Sequence, residues 1–333
     1  MVIMFDRIGL QAPKFCRRAA VIIATGALAA TGCSGPSDGD QIDVVASVYP
    51  YAYVAQEILG SHGKVVDLSA NAGDAHDVEL SPKQVGAIKQ ADLVIHQSGF
   101  QAPIDETIEQ NKPKHEIDVT KIVDFIEFDD HSGHDHEAGH EHSGADHGHK
   151  DGAGHDHKHE GNDPHVWLDI RQLRKVAAEV SKQLSANHPQ YQDEFEHNAK
   201  QLDDKLAKLD DDMTSGLSSC EIDHVIVNHA AFGYLGHRYG FHQVGISGLE
   251  PELEPSPTQI KQASEAATEY GVTTIFYETG VSDRVAKSIA RDLGLKAAVL
   301  NPLESLASDD KSQDYETIMR QNLDQLREAN KCR

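Results

Sequence analysis

Short runs rich in β-branched residues alternate with amphipathic stretches along the chain. Residues 42–48 (IDVVASV), 64–68 (KVVDL), 92–96 (DLVIH) and 115–119 (HEIDV) read as strands, with helical spacing near 51–59, 82–91 and 103–111. The pattern recurs at 224–228 (HVIVN), 242–246 (HQVGI), 273–278 (TTIFYE) and 297–301 (AAVLN), with helices expected near 231–239, 257–270, 282–293 and 312–329. Strands alternating with helices predict an α/β fold of mostly parallel sheets covered by helices. Two such series predict two similar lobes, each built on a four-stranded sheet. One large doubly wound sheet is the alternative.

Both series share a local device. Residues 79–84 read ELSPKQ and residues 254–259 read EPSPTQ. Each places Ser as a helix N-cap, Pro as the first helical residue and Gln three after the Ser as its capping partner. Between the series, residues 189–217 carry Tyr191, Phe195, Leu202, Leu206, Leu209 and Met213 at helical spacing among charged positions. That segment predicts one stiff connecting helix, a rod roughly 40 Å long at 1.5 Å per residue.

Composition narrows the function. The 333 residues hold 30 Lys and Arg against 54 Asp and Glu, a formal net charge of -24. Such a surface repels phosphate backbones, which excludes nucleic-acid binding as a main activity, and it attracts cations. Apart from the N-terminus, no apolar run approaches the roughly 18 residues of a membrane span. Near the N-terminus, Lys14, Arg17 and Arg18 precede the apolar stretch Ala19 to Ala30, and the sequence then reads A-A-T-G-C-S-G around Cys33. This looks like a secretory signal ending in a bacterial lipobox, with Ala30 three residues before the cysteine. It predicts a signal segment over 1–32, lipidation of Cys33, membrane attachment through that lipid and a polar tether over 33–41. An ordinary secretory signal cleaved nearby is the alternative, and Met4 is an alternative start. With Cys16 removed and Cys33 lipidated, Cys220 and Cys332 remain as a disulfide candidate worth about 3–5 kcal/mol. Their alternative use is as two soft metal ligands.

Histidine supplies the candidate chemistry. Of 21 histidines, ten lie in the polar stretch 129–160: His131, His134, His136, His140, His142, His147, His149, His155, His157 and His159. A segment without large apolar residues is expected to be a mobile loop, and its imidazoles and carboxylates to bind divalent zinc weakly at several places. His136-Glu137-Ala138-Gly139-His140 matches the H-E-x-x-H string of metalloproteases. That chemistry needs both histidines on one face of a rigid helix, so the match reads as coincidence. Outside the tract, His76 (NAGDAHDVELSP), His165 (NDPHVWLD) and His229 (IVNHAAFGY) sit in loops next to predicted strands or helix starts. Ligands of open α/β sheets bind beyond the carboxyl ends of strands, where His76 and His229 would point. His62, His96, His115, His188, His197, His224, His237 and His242 read as surface or structural. His224 and His237, placed near the second crevice, are the candidates for exceptions.

D-A-H-D-V-E-L-S-P, D-P-H-V-W-L-D, N-H-A-A-F-G-Y-L and E-P-E-L-E-P-S-P, in this order, resemble the signature of metal-specific solute-binding lipoproteins of ABC transporters. The zinc group typified by ZnuA and AdcA is the nearest in pattern, and the similarity extends over the whole mature chain. The resemblance implies lobes at 42–188 and 218–333 joined by the helix 189–217, with zinc held between them by His76, His165 and His229. A closed set of four ligands would leave no open position for a substrate, so the protein is expected not to be an enzyme. Its partners would be an ABC permease and its ATPase, and the chain would act as a monomer. For the fourth ligand, manganese-type members carry an Asp where this chain has Asn301, whereas the AdcA-like pattern points to Glu304. Glu278, at the end of TTIFYE, is the competing fourth ligand or a group orienting an imidazole, and water is a further alternative. Three imidazoles and at most one carboxylate suit tetrahedral zinc better than manganese, which favours more oxygen ligands. Manganese as cargo, a zinc buffer or adhesin without a transporter, and a zinc hydrolase using Glu278 or Glu304 as base are the other readings.

Overall fold

The computed structural model describes residues 41–70, 72, 74–127, 161–249, 254–279, 283–306 and 313–333. The first series folds as β1 (Ile42–Ala46), α1 (Tyr49–Leu59), β2 (Gly63–Asp67), α2 (Pro82–Gln90), β3 (Leu93–His96), α3 (Ala102–Asn111) and β4 (Glu116–Asp118). Two long helices follow, α4 (Ile170–Asn187) and α5 (Gln192–Leu217). The second series is β5 (His224–Val227), α6 (Gly233–Tyr239), β6 (His242–Gly245), α7 (Pro257–Glu269), β7 (Thr274–Tyr277), α8 (Arg284–Leu293), β8 (Lys296–Val299) and α9 (Tyr315–Ala329).

All pairings between these strands are parallel, in two four-stranded sheets of order β2-β1-β3-β4 and β6-β5-β7-β8. The two sheets thus share one topology, as the repeated pattern predicts. Alternation along the strands assigns their faces. Val44, Ala46, Leu93 and Ile95 join a central core with α1, α4 and α5, while Val45 and Val94 pack outward on Ile88, Ile104 and Ile108 of α2 and α3. In the second sheet, Val225, Val227 and Phe276 face the same central core, and Ile226, Val244 and Ile275 pack on α7 and α8. Both Ser-Pro helix starts form reciprocal capping boxes, Ser81 with Gln84 and Ser256 with Gln259.

The connecting segment departs from the predicted continuous helix. Pro189–Tyr191 forms a 3-10 turn, because Tyr191 leaves helical geometry at φ -113° and ψ 8°, and the α-helix starts at Gln192. Its 26 residues still give a rod about 39 Å long. Phe195, Leu202, Leu206, Leu209, Met213 and Leu217 form its buried stripe. Its carboxylates reach other helices: Asp203 takes Arg174 of α4 through two bonds (2.5 and 2.9 Å), and Asp210 takes Arg238 (3.2 and 2.8 Å) and the Tyr239 hydroxyl (2.8 Å) of α6. Asp212 takes Arg320 of α9 at 2.6 Å. With Lys205 also bonded to Glu57 of α1 at 2.8 Å, the helix is tied to elements of both series. None of the described helices is long and apolar enough to cross a membrane.

Cys220 and Cys332 are joined by a disulfide spanning 112 residues, which fastens the end of α9 beside the start of the second series. A closed loop of that length restricts the unfolded chain by about 4–5 kcal/mol in the chain-entropy account. Cys332→Ser should therefore lower the guanidinium unfolding midpoint markedly under oxidising conditions and leave the midpoint under reducing conditions unchanged. Equal oxidised midpoints for the two proteins would show that the bond carries no stability.

Candidate metal centre

Four side chains from four separate loops converge at the carboxyl ends of the strands. One ligand atom each from His76, His165, His229 and Glu304 lies within 4.8 Å of every other. His165 and His229 are 0% and 2% exposed and Glu304 is 6% exposed.

His76 follows β2 in a loop that buried Gln101 secures, its Nε2 donating to the Ala75 carbonyl at 2.7 Å. The Phe100 ring meets the His76 ring edge-on, with centroids 4.9 Å apart. His165 stands just before a 3-10 turn, Val166–Leu168, that leads into α4. One oxygen of buried Asp163 accepts from both the His165 backbone N–H (2.9 Å) and Nδ1 (2.7 Å). That contact assigns the Nδ1 proton to Asp163 and directs Nε2 into the site. The intervening Pro164 carbonyl accepts from Gln97 at 2.9 Å, and Gln97 in turn accepts from the Tyr51 hydroxyl at 2.6 Å. His229 lies two residues beyond β5 on the approach to α6. Its Nδ1 is 3.4 Å from Glu278, whose own carboxylate is buried.

Glu304 comes from the loop after β8. Its backbone is held by the first series: the Glu304 carbonyl lies 3.3 Å from the Tyr49 N–H and 2.9 Å from Ser69 Oγ, both as donors. Trp167 Nε1 donates to the Pro302 carbonyl at 2.8 Å, and the Tyr315 hydroxyl donates to the Trp167 carbonyl at 2.7 Å. Leu303 adopts a left-handed φ of 63° and donates its N–H to Asn301 Oδ1 at 2.8 Å. A bulky residue in that region stores about 1–3 kcal/mol, the sort of strain found at ligand clamps.

Glu304 Oε1 lies 2.9 Å from His165 Nε2, 3.4 Å from His76 Nε2 and 3.7 Å from His229 Nδ1. The two Nε2 atoms are 3.3 Å apart. Bonds of about 2.0–2.1 Å to a tetrahedral ion would separate neighbouring ligand atoms by about 3.4 Å. Despite these short separations, Glu304 Oε1 and His229 Nε2 have no partner with hydrogen-bond geometry. Buried polar atoms left in this way are costly, and a divalent cation would satisfy them.

Burial pulls the His165 imidazolium towards deprotonation, but the Asp163 charge and hydrogen bond, with Glu304 beside them, carry its pKa up to about 10. Burial likewise opposes a charged His229, yet the Glu304 charge and the contact with Glu278 raise its pKa. Burial would also raise Glu304, but the His229 charge and the contacts with His165 and His76 hold it well below the usual carboxylate range.

Of the sequence-based candidates, the structure brings His76, His165, His229 and Glu304 together and sets Glu278 against His229. Asn301 stays outside the group, its amide donating to Thr279 Oγ1 at 3.1 Å while its oxygen takes the Leu303 N–H. His224 is not near the crevice: it is the first residue of β5, at the end opposite His229, stacked on Tyr270 with centroids 3.6 Å apart. His237 is exposed on α6. His96 is buried with Nδ1 at 3.3 Å from Asp105. Cys33 and the ten histidines from His131 to His159 lie outside the described residues. The positioning roles of Asp163, Gln97, Gln101 and Ser69 were not read from sequence. Asp163 had a usable signal, two residues before His165 within the D-P-H string.

Residues 44–329 match the family described as "Zinc-uptake complex component A periplasmic", or ZnuA. The chain belongs to the ZnuA family. Among curated relatives, "Zinc-binding protein AdcA" of Streptococcus pyogenes serotype M3 is 33% identical over 289 residues, covering 86% of this chain and 56% of that protein. The chain thus spans little more than half the length of the AdcA relatives. "High-affinity zinc uptake system protein ZnuA" of Bacillus subtilis is 31% identical over 325 residues, covering 93% of this chain and 94% of that protein. In three dimensions the chain is similar to the Zn(II)-bound ZnuA-like domain of Streptococcus pneumoniae AdcA, with a TM-score of 0.68 and 27% identity, covering 87% and 99% of the two chains. The fold expected from the resemblance, two helix-covered parallel sheets with a long helix between them, is the fold observed.

A ZnuA-family site with these charges makes a pH prediction. The metal-free His165 holds its proton up to about 10, so an ion must displace that proton to bind Nε2 anywhere between pH 6 and 8. Zinc affinity should rise with pH across that interval, by about tenfold per unit for each proton released. Calorimetry in buffers of different ionisation enthalpy counts those protons. Zero release with flat affinity would refute the assigned His165 proton.

Proposed function

We propose that this chain is the extracytoplasmic zinc-binding component of an uptake system, holding Zn²⁺ through His76, His165, His229 and Glu304 and delivering it to an ABC permease driven by its ATPase. The observation that carries the reading is the buried convergence of these four groups to within 4.8 Å of one another. Three imidazoles and one carboxylate form a closed tetrahedral set, which favours zinc over the larger, oxygen-rich shell of manganese. With all four positions taken by protein, no coordination place remains for a substrate or an activated water, and this supports carriage over catalysis.

In this reading Cys33 carries the lipid that keeps the monomeric protein at the membrane face. The histidine tract catches zinc loosely and passes it inward, helped by the acidic surface. Glu278 acts on His229 and is not a ligand. The ties between α5 and its neighbours favour small displacements over wide hinge opening, so zinc-free and loaded protein should give superimposable small-angle scattering curves.

The deciding experiment is metal analysis with competition titration of the mature chain, a version lacking residues 131–160, and single His229→Ala and Glu304→Gln variants. One zinc per chain should survive the deletion and be preferred over manganese. His229→Ala should weaken it beyond the roughly 10–100-fold typical of losing an outer partner, and Glu304→Gln should weaken it to a lesser degree. Loss of all tight binding on deleting the tract alone would make the tract the binding element and refute the assigned site.

A further inference from the structure

The Asp163 carboxylate has a neighbour from the second series as well as the imidazole it orients. Its Oδ1 holds His165, while a Cβ built on Gly233 would stand 2.4 Å from its Oδ2. The same Cβ would lie 3.3 Å from Gln243 Nε2 and 3.5 Å from Ile126 Cδ1. Gly233 does not have a left-handed φ, so its backbone does not demand glycine. As the first residue of α6 it occupies a place where alanine would ordinarily serve the helix better. What the position demands is space.

The surroundings leave the carboxylate little freedom. The Asp163 side chain is 2% exposed. Its N–H donates to the Ile126 carbonyl at 3.1 Å, and the Ile126 N–H donates to the hydroxyl of Tyr234, the residue after Gly233, at 3.1 Å. On the other side, Gln243 accepts from the Phe232 N–H at 2.9 Å and donates to the Ala230 carbonyl at 3.2 Å, which holds the segment between His229 and Gly233. Asp163 therefore sits between the imidazole it orients and the helix that follows His229.

We propose that Gly233 is a positioning residue for metal capture. The absence of its side chain lets Asp163 rest against α6 while holding His165 with Nε2 aimed at His76 and Glu304. The orientation of the imidazole just ahead of α4 thereby depends on the position of the helix that follows His229. A methyl group at 233 must displace the carboxylate, the start of α6, or both, and each displacement moves the support of a ligand. This inference rests on the reading of the four groups as a zinc site.

The test uses the full mature chain as wild type, Gly233→Ala, Asp163→Ala and the double variant, with His229→Ala marking the site. Gly86→Ala, which has nothing within 4 Å of its new methyl group, is the control. Zinc affinity is read by competition, coordination geometry by the visible absorption of bound Co²⁺, and folding by the metal-free thermal midpoint. Gly233→Ala should weaken zinc by about tenfold or more and change the Co²⁺ spectrum, with little change in the metal-free midpoint. Added to Asp163→Ala it should cost little further affinity, because the methyl group then has no carboxylate to displace. Gly86→Ala should bind as wild type does. Wild-type affinity in Gly233→Ala, or the same loss from it with and without Asp163, would overturn the inference alone. Zinc binding by the wild type that is indifferent to His229→Ala would overturn the site reading itself, and the inference with it.

Discussion

Glu304 reaches the site only because its loop is held by the other half of the molecule. Its carbonyl lies against the Tyr49 N–H and the Ser69 hydroxyl, and the Pro302 carbonyl takes the indole N–H of Trp167. The left-handed backbone at Leu303 turns the chain there, and buried Leu303 anchors it in the central core. Without these contacts a carboxylate would have no reason to leave water for a pocket of imidazoles, since burying it unpaired is strongly unfavourable. With them, the three imidazoles face a negative charge at separations near those a tetrahedral ion requires. The rest of the structure can be understood as support for that approach.

Support comes from a shared core more than from the two sheets individually. Each sheet has an outer face covered by two helices of its own series and an inner face turned to α1, α4, α5 and α9. Asn322 of α9 donates to the Asn301 carbonyl at 2.7 Å, which braces the start of the Glu304 loop, and Tyr315 of the same helix reaches Trp167. The long helix α5 presents an apolar stripe to this core and carboxylates to arginines of α4, α6 and α9. A partly buried pair such as Asp210–Arg238 contributes less net stability than its Coulomb energy suggests. Its two-bond geometry nevertheless fixes α6, and hence the segment that carries His229, relative to the long helix.

The electrostatics of the site follow from the same crowding. Asp163, Glu278 and Glu304 surround two buried imidazoles, so protons bind tightly where a metal would bind. A proton and a metal ion would compete for the same lone pairs, which would make binding at the site responsive to pH.

Much of this was legible along the chain. Short β-branched runs alternating with helical stretches specified parallel strands covered on both faces, and the two Ser-Pro-x-Gln starts specified where α2 and α7 begin, because capping is a local interaction. Apolar spacing marked the long helix, although Pro189 and Tyr191 turned its first residues into a 3-10 turn. His76, His165 and His229 could be named because each stands at a strand or helix boundary and in a familiar string. Tertiary structure decided the rest. Whether Glu304, Glu278 or Asn301 would face the imidazoles depends on the turn at Leu303 and on Tyr49, Ser69 and Trp167, more than a hundred residues away in sequence. His224 stands only five residues before His229 in the chain, yet a strand of four residues carries the two to opposite ends of the sheet. The space that Gly233 leaves for Asp163 exists only after both halves have folded. Local propensity and capping are properties of neighbouring residues, whereas a ligand set drawn from four loops depends on how the sheets and helices pack.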